Sequence, residues 1–478
     1  MNPFRVARRM RCPNSLRLLM LASALALSMP AAPAAAQSIN EALGTAYSTN
    51  PTLQAARARL RATDENVPQA LSGWRPTVSA NANVGTADGS QRTGYNGPGV
   101  DTARTPRGGN LTVSQPLYRG GRTVAGTNRA ENQVLADRAR LLATEQEVLR
   151  NGVTTYVNVL RDSALLRLAQ NNERVLARQL QATNDRFRVG EITRTDVAQN
   201  EARLASARSE RETAEGNLQN SRASYTRVIG QAPGNLREPM PLGSPVRSRD
   251  EAVAVAANNN PAVIAAMFDE RAAIDNVDLL WGELMPLLQL QGQAFNNLDP
   301  TLRGGYSRGA QATLNLTVPL YQQGAEYARI RQAKQQAQQV RAQLDDVRRG
   351  AQEAASQAWD NLQSRKATVE STRAAIRANE IALDGVQREA LVGSRTTLDV
   401  LNAEQELLNS RVQLVRALRD LIVASYELAA ATGRLTARDL GLQVDLYDAE
   451  AYYRSVRNKL FGTSVPGDPL RRNEPLGR

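Results

Sequence analysis

The stretch LTVSQPLYRGG at Leu111–Gly121 is written again as LNLTVPLYQQG at Leu314–Gly324, 203 residues further on. The same offset carries Val189-Gly190 and Asp196-Val197 onto Val392-Gly393 and Asp399-Val400, then Glu201 onto Glu404 and Gly230 onto Gly433. Toward the N-terminus the offset is 210: Glu41-Ala42, Asn50-Pro51 and Pro76 return as Glu251-Ala252, Asn260-Pro261 and Pro286. The difference falls between Pro76 and Leu111, so one loop is shorter in the second copy. The chain is a tandem duplication whose unit is far longer than the 20 to 50 residues of a solenoid repeat.

Each copy opens with a helical stretch, Ser38–Trp74 and Arg249–Met285, and each start carries a capping pattern, Ser38 with Glu41 and Ser248 with Glu251. The period then changes from 3.6 to 2. At Thr77–Val84, Val78, Ala80, Ala82 and Val84 alternate with Thr77, Ser79, Asn81 and Asn83. Ala310–Val318 and the run from Leu288 to Ala294 alternate likewise, and Leu111 and Val113 predict a shorter fourth strand. Polar loops, Thr86–Gly109 and Asn296–Gly309, join the strands of each pair. Prolines stand at the changes of element: Pro76 and Pro286 where helix becomes strand, Pro116 and Pro319 where strand becomes helix.

Neither Gly121–Phe187 nor Ala325–Leu391 contains proline, so each predicts a single helix of roughly 100 Å at 1.5 Å per residue. A glycine turn and a return helix follow. In the second return helix, Leu401, Leu408, Val415 and Ile422 form one seven-residue column and Leu407, Leu414, Leu421 and Leu428 another. Val134, Leu141 and Val148 with Leu135, Leu142 and Leu149 repeat the pattern in copy one. Coiled-coil seams of this kind need few aromatics, and the chain has only 5 Phe and 3 Trp in 478 residues.

Composition excludes whole classes of chemistry. With no histidine and a single cysteine, His-based acid-base catalysis, Ser-His-Asp and Cys-His nucleophiles and Cys/His zinc sites are unavailable. Carboxylates are interleaved with arginine at helical spacing, as in Arg208-Ser209-Glu210-Arg211-Glu212, the pattern of solvated helix faces. No nucleotide-binding glycine loop or metal-ligand cluster is present, so no cofactor, no metal and no enzymatic activity are expected. The charge of +12 is dispersed over arginines without aromatic interleaving, which argues against nucleic acid.

Residues 1–36 read as a secretory signal peptide, with Arg5, Arg8, Arg9, Arg11 and Arg17, an apolar run at Leu18–Met29, and Ala34-Ala35-Ala36 as the cleavage site. The apolar run falls short of the roughly 20 residues of a spanning helix. Cleavage would remove those five arginines and Cys12, lowering the charge to +7. The rest divides into a first repeat at 37–230, a linker at 231–248, a second repeat at 249–434, and a tail at 435–478 expected to be partly disordered.

Four alternating strands cannot close a membrane barrel, which starts at about eight, and lipid does not tolerate open edges. An oligomer that pools strands resolves both, and three chains would supply 12. The Asn, Gln, Thr and Ser faces suit a water-filled lumen. Alternative readings are a soluble sheet capped by a helical bundle, and a periplasmic coiled-coil scaffold or adaptor without a pore. Trp74, Trp281, Tyr118 and Tyr321 either sit at headgroup level or pack the junctions.

The duplicated layout, Asn50-Pro51, Trp74-Arg75-Pro76, Pro116-Leu117-Tyr118, Val189-Gly190 with Thr195-Asp196-Val197, and above all the turn Val392–Leu401 (VGSRTTLDVL) resemble the TolC family of outer-membrane efflux and secretion channels over Ile39 to about Leu442. The resemblance implies a mixed fold of α-helical coiled coil and membrane β-barrel: a homotrimer with a 12-stranded barrel in outer-membrane lipid, a helical periplasmic tunnel, and an equatorial belt from Gln231–Arg249 and the segment after Leu435. It also implies two kinds of partner, a periplasmic adaptor (membrane fusion protein) and an inner-membrane pump or ABC transporter.

At the turns the resemblance carries over residue by residue. Asp399 matches a constricting aspartate, and three copies would form an acidic ring whose charges raise one another's pKa and attract cations. Where the family's founding member has a second aspartate this chain has Asn402, which implies a single-ring constriction. Arg395 matches a lock arginine and Asp196 its partner on the neighbouring hairpin; the tyrosine completing that lock is replaced by Ala390, implying a looser latch. Gly190 and Gly393 are turn glycines beside which the adaptor would dock.

Overall fold

In the computed structural model the described residues are 37–465, apart from 93, 96, 102 and 302. The leader expected at 1–36 and the tail beyond 465 lie outside them.

The first repeat begins with α1 (Ile39–Thr49), α2 (Pro51–Asp64) and α3 (Asn66–Leu71). Strands β1 (Thr77–Val84), β2 (Ser90–Arg92), β3 (Gly99–Asp101) and β4 (Arg107–Arg119) follow, then α4 (Arg122–Arg188) and α5 (Arg194–Ile229). The second repeat runs α6 (Arg249–Asn259), α7 (Pro261–Trp281), β5 (Leu287–Leu298), β6 (Tyr306–Thr317), α8 (Ala325–Leu391) and α9 (Thr397–Ala431), and a short α10 (Ala451–Val456) lies in the tail. Both long helices have 67 residues.

The expected opening helices are broken at Asn50-Pro51 and Asn260-Pro261, and both copies use the motif in one way. Each Asn side chain caps the next helix, accepting from Thr52 N or Ala262 N at 2.9 Å, with the proline at the first helical position. The Asn amide then donates back to the end of the return helix: Asn50 Nδ2 to Val228 O (2.9 Å), Asn260 Nδ2 to Ala431 O (3.3 Å). The dipeptide thus ties the start of each repeat to its end.

The sheet is antiparallel in the order β1-β4-β5-β6. Its register aligns the alternations into continuous rows. Val78, Val113, Gly292 and Ala312 lie side by side, as do Ala80, Leu111, Ala294 and Ala310. Between them run Ser79, Thr112, Gln293 and Gln311, and Thr77, Ser114, Gln291 and Thr313. Asn81 Nδ2 donates to Asn110 Oδ1 (3.0 Å) and Gln311 Nε2 to Gln293 Oε1 (2.9 Å) along the polar face. Residues of the apolar face are left open: Val78 is 65% exposed and Leu316 64%. Among the described residues β1 and β6 pair on one side only.

Four expectations about the strands need correction. The fourth strand is the longest, 13 residues, and the loop expected at Thr86–Gly109 holds the small β2–β3 hairpin and the start of β4. In copy two, β5 and β6 absorb both ends of the expected Asn296–Gly309 loop. Pro116 is not a strand-to-helix junction: it lies inside β4, at a register shift between Pro116 and Tyr118. It is tolerated because β1 stops pairing at Ser114, so β4 there has only β5 as a neighbour and needs no second N–H ladder. The actual switch into α4 is Gly120-Gly121, with φ of +62° and +77°. Pro319 lies in the coil before α8, whose N-cap Gly324 has φ +83°. Pro76 and Pro286 directly precede β1 and β5, as expected. Trp74, Trp281, Tyr118 and Tyr321 are all exposed at the foot of the sheet.

The core is thin and helical. Leu407, Leu421 and Leu428 are buried, whereas Leu408, Val415 and Ile422 are half-buried. Leu142 is exposed while Val134, Leu141, Val148 and Leu149 are buried. The largest cluster joins α1, α4, α5 and α9 to Leu435, Ala437 and Leu442 of the tail. The linker is fastened at Tyr156, whose hydroxyl lies 2.8 Å from Gln37 O and 2.7 Å from Arg237 O, and at Ser425, which accepts from Leu242 N.

From Ala437 onward the tail climbs α4 toward the sheet. Ala437 N donates to Glu145, Arg457 pairs with Glu131 at 2.9 Å, and Arg75 Nη1 donates to Lys459 O. Under this strap Asp64 is fully buried, with no hydrogen-bond partner on either carboxylate oxygen. Burial pushes its pKa from 3.8 up to about 6; Arg138 opposes the shift, and Glu65 and Asp137 add to it. The native state therefore takes up a proton between about pH 4 and 6 that the unfolded chain does not, and ionised Asp64 costs stability above that window. Asp64→Asn is expected to raise the melting temperature at pH 7.5 by several degrees, with the gap closing by about pH 4. A pH-independent difference in calorimetry would refute this.

Candidate functional site

The far ends of the two helical hairpins are built alike. After α4 the backbone of Gly190 takes φ +80°, Gly190 N donates to Phe187 O and Glu191 N to Arg186 O, both at 3.0 Å. After α8, Gly393 takes φ +78° with Gly393 N to Ala390 O (3.2 Å) and Ser394 N to Glu389 O (3.0 Å). This pair of bonds closes a helix C-terminus and needs a left-handed residue, which is why glycine recurs. A Cβ at either glycine would meet nothing within 4 Å, so conformation and not space demands it.

Three residues beyond each glycine a threonine caps the return helix. Asp196 N donates to Thr193 Oγ1 (3.3 Å) while Thr193 N donates to Asp196 Oδ2 (3.0 Å). Thr396 and Asp399 repeat the reciprocal box at 3.2 and 3.0 Å. The recurrent Val-Gly…Thr-x-x-Asp spacing is therefore a C-cap followed by an N-cap. Both aspartates carry structural duty before any gating duty, and both use Oδ2 for it.

The Thr396 backbone and hydroxyl, with Arg395 beside them, hold the Asp399 carboxyl below its ordinary pKa. Within one protomer this is opposite in sign to the mutual raising expected of a ring, and it keeps Asp399 ionised. Arg395 is placed not on Asp196 but on Glu389 of its own hairpin, Nε to Oε2 at 2.8 Å, which raises its pKa further. Ala390 precedes Leu391, the last residue of α8.

Asn402 is where the two hairpins meet. Arg203 Nη2 on α5 donates to Asn402 Oδ1 on α9 at 2.7 Å. One residue back, Leu401 is buried against Leu176, Leu204 and Ala207 of the first hairpin. Among the described residues this is the polar contact between the hairpins nearest their turns. Arg203, in the run Glu201-Ala202-Arg203, has by its sequence the interleaved charge pattern of a solvated helix face. Its spacing from Asp196 (i, i+7) puts it on the same side of α5, the available signal, but not which helix it would face.

Among the described residues no cluster of acidic or sulfur ligands could hold a metal, and no helix is long and apolar enough to cross a membrane.

The outer membrane efflux protein profile matches residues 42–231 and 252–434. The outer membrane efflux protein BepC of Brucella suis is 36% identical over 436 residues, covering 91% of this chain and 93% of BepC. The outer membrane protein TolC of Escherichia coli is 22% identical over 447 residues, covering 89% and 88%. In the solved structures, the outer membrane protein VceC of Vibrio cholerae superposes with a TM-score of 0.72 at 21% identity, covering 83% of this chain and 96% of VceC.

Proposed function

This chain belongs to the outer membrane efflux protein family, and we propose that three copies form the exit duct of a tripartite export machine. It is a passive outer-membrane channel, not an enzyme. In our reading a periplasmic adaptor links the helical tips to an inner-membrane pump or ABC transporter, and the duct serves small-molecule efflux, type I protein secretion, or both.

One observation carries this reading. Four strands from two distant parts of the sequence pair in one sheet that carries the apolar rows through Val113 and Leu111 on one face, the polar rows through Thr112 and Ser114 on the other, and an open edge on each side among the described residues. Lipid against the first, water against the second and a neighbour's strand at each edge satisfy all three at once.

The gate lies at the tips. Asp399, kept ionised by its cap, would line the axis as the cation-binding ring, and Asn402, in place of a second ring, accepts a hydrogen bond from Arg203. Arg395 spends Nε on Glu389, and its two Nη groups are further donors. Asp196 has Oδ1 outside its cap. A lock between Arg395 and Asp196 of adjacent protomers is thus compatible with the contacts inside each. Gly190 and Gly393 remain the turns beside which the adaptor would dock.

The purified, detergent-extracted protein should open discrete conductance steps in planar bilayers, blocked by multivalent cations from the helical-tip side. Asp399→Asn keeps an acceptor for the Thr396 cap while removing charge, and should weaken that block at least about tenfold. Retained block would place the cation site elsewhere, and absence of conductance would remove the channel reading itself.

A further inference from the structure

On the polar face of the sheet, where its strands reach the helices, lies a cleft of about 850 Å³. Four arginines line it: Arg75 before β1, Arg119 at the end of β4, and Arg122 and Arg129 in the first two turns of α4. Thr77, Ser114 and Gln289, which belong to the polar rows, form its sheet side.

The cleft is rich in donors that carry unspent positive charge. Arg75 Nη1 donates to Lys459 O, Arg122 Nε to Arg119 O and Arg129 Nη1 to Asn276 Oδ1, all neutral acceptors. Among the described residues none of the four is in an ion pair. Glu283 is the one acid in the lining, and it is engaged by Arg329 at 2.9 Å. Two buried donors in the lining have no partner at all, Arg129 Nε and the Oγ1 of Thr123, a residue only 5% exposed.

We propose that this cleft is a binding site for anionic groups, phosphate or carboxylate, carried by solutes in the lumen. Guanidinium groups pair with such oxyanions in bidentate fashion, and a cleft walled by protein raises the local field above that of an open surface. Threefold repetition would surround the base of the barrel with this charge, at the opposite end of the helices from Asp399. Exported anions that have passed the tips would meet a weak site at the base of the barrel, as multi-site conduction requires. The inference rests on the channel reading, because only there does the polar face border a lumen.

Single-channel current is measured in bilayers of zwitterionic lipid with inorganic tripolyphosphate added on the barrel side. Wild type should show reversible block, and Arg119→Gln with Arg122→Gln should raise the half-blocking concentration at least about tenfold. Asp399→Asn should leave that block unchanged. Equal block in wild type and the double variant overturns the proposal, as does block that acidic lipid in the bilayer abolishes, which would mark a headgroup site. A double variant that no longer migrates as a heat-modifiable trimer is replaced by Arg122→Lys, which keeps the charge and loses the fork; it should show intermediate block, and wild-type block would again overturn the proposal. If no variant conducts, the channel reading fails before this one.

Discussion

Val113→Arg is expected to eliminate the protein from the outer membrane. Val113 sits at the middle of the 13-residue β4, in the row with Val78, Gly292 and Ala312, and it is 38% exposed although apolar. An arginine at the midplane of a barrel's lipid face costs about 2–4 kcal/mol. Three copies would cost roughly 6–12 kcal/mol per trimer, comparable to the whole stability of an ordinary domain. Thr112→Arg, one residue away on the polar face beside Ser79 and Gln293, should still assemble. The comparison is read as heat-modifiable trimer in membrane fractions. Loss in both variants, or in neither, would contradict the assignment of the two faces.

Arg395→Ala and Arg203→Ala are expected to raise single-channel conductance. Both arginines lie near the solvated tips, where each contact alone contributes little. A concerted opening breaks the contacts of all three protomers together, so the ratio of open to closed should rise by a factor on the order of ten. The two variants act through different contacts, one proposed between protomers and one observed between the hairpins of a protomer, so the double variant should open further than either. Asp196→Ala should behave similarly but is less clean, since it also removes the cap on Thr193. Unchanged conductance in all three would mean that neither contact holds the closed state.

The two long helices were legible in the sequence almost to the residue, because absence of proline and a flanking glycine bound them on both sides, whereas the opening helices break at Asn50-Pro51 and Asn260-Pro261. β1 was equally clear, since small polar and apolar residues alternate in it without a break. β4 was not: Pro116 read as the junction into the helix and the pair Gly108-Gly109 as loop, and only the pairing shows that β4 runs on past the last residue that β1 pairs with. At the tips, the cap residues were visible as a recurring spacing, but their local role was masked by the charge of Asp196 and Asp399. Where Arg395 and Arg203 point depends on rotamers of long side chains and on the stagger of one hairpin against the other, which no periodicity encodes. The arginine cleft draws on residues from the start of β1, the end of β4 and the start of α4, so it exists only once the register is set.

Strand sharing between protomers is the central claim, and the edges of the sheet test it directly. With Cys12 replaced by serine, a cysteine is placed at Asn81 on the β1 edge and, in turn, at each position from Ala310 to Asn315 on the β6 edge. Oxidised outer membranes should yield covalently closed trimers at alternate β6 positions, the period of two that a shared antiparallel ladder imposes. If no pair joins chains, while cysteines at the register partners Ser79 and Thr112 do crosslink within the chain, the open sheet is not completed by a neighbour and the barrel does not exist.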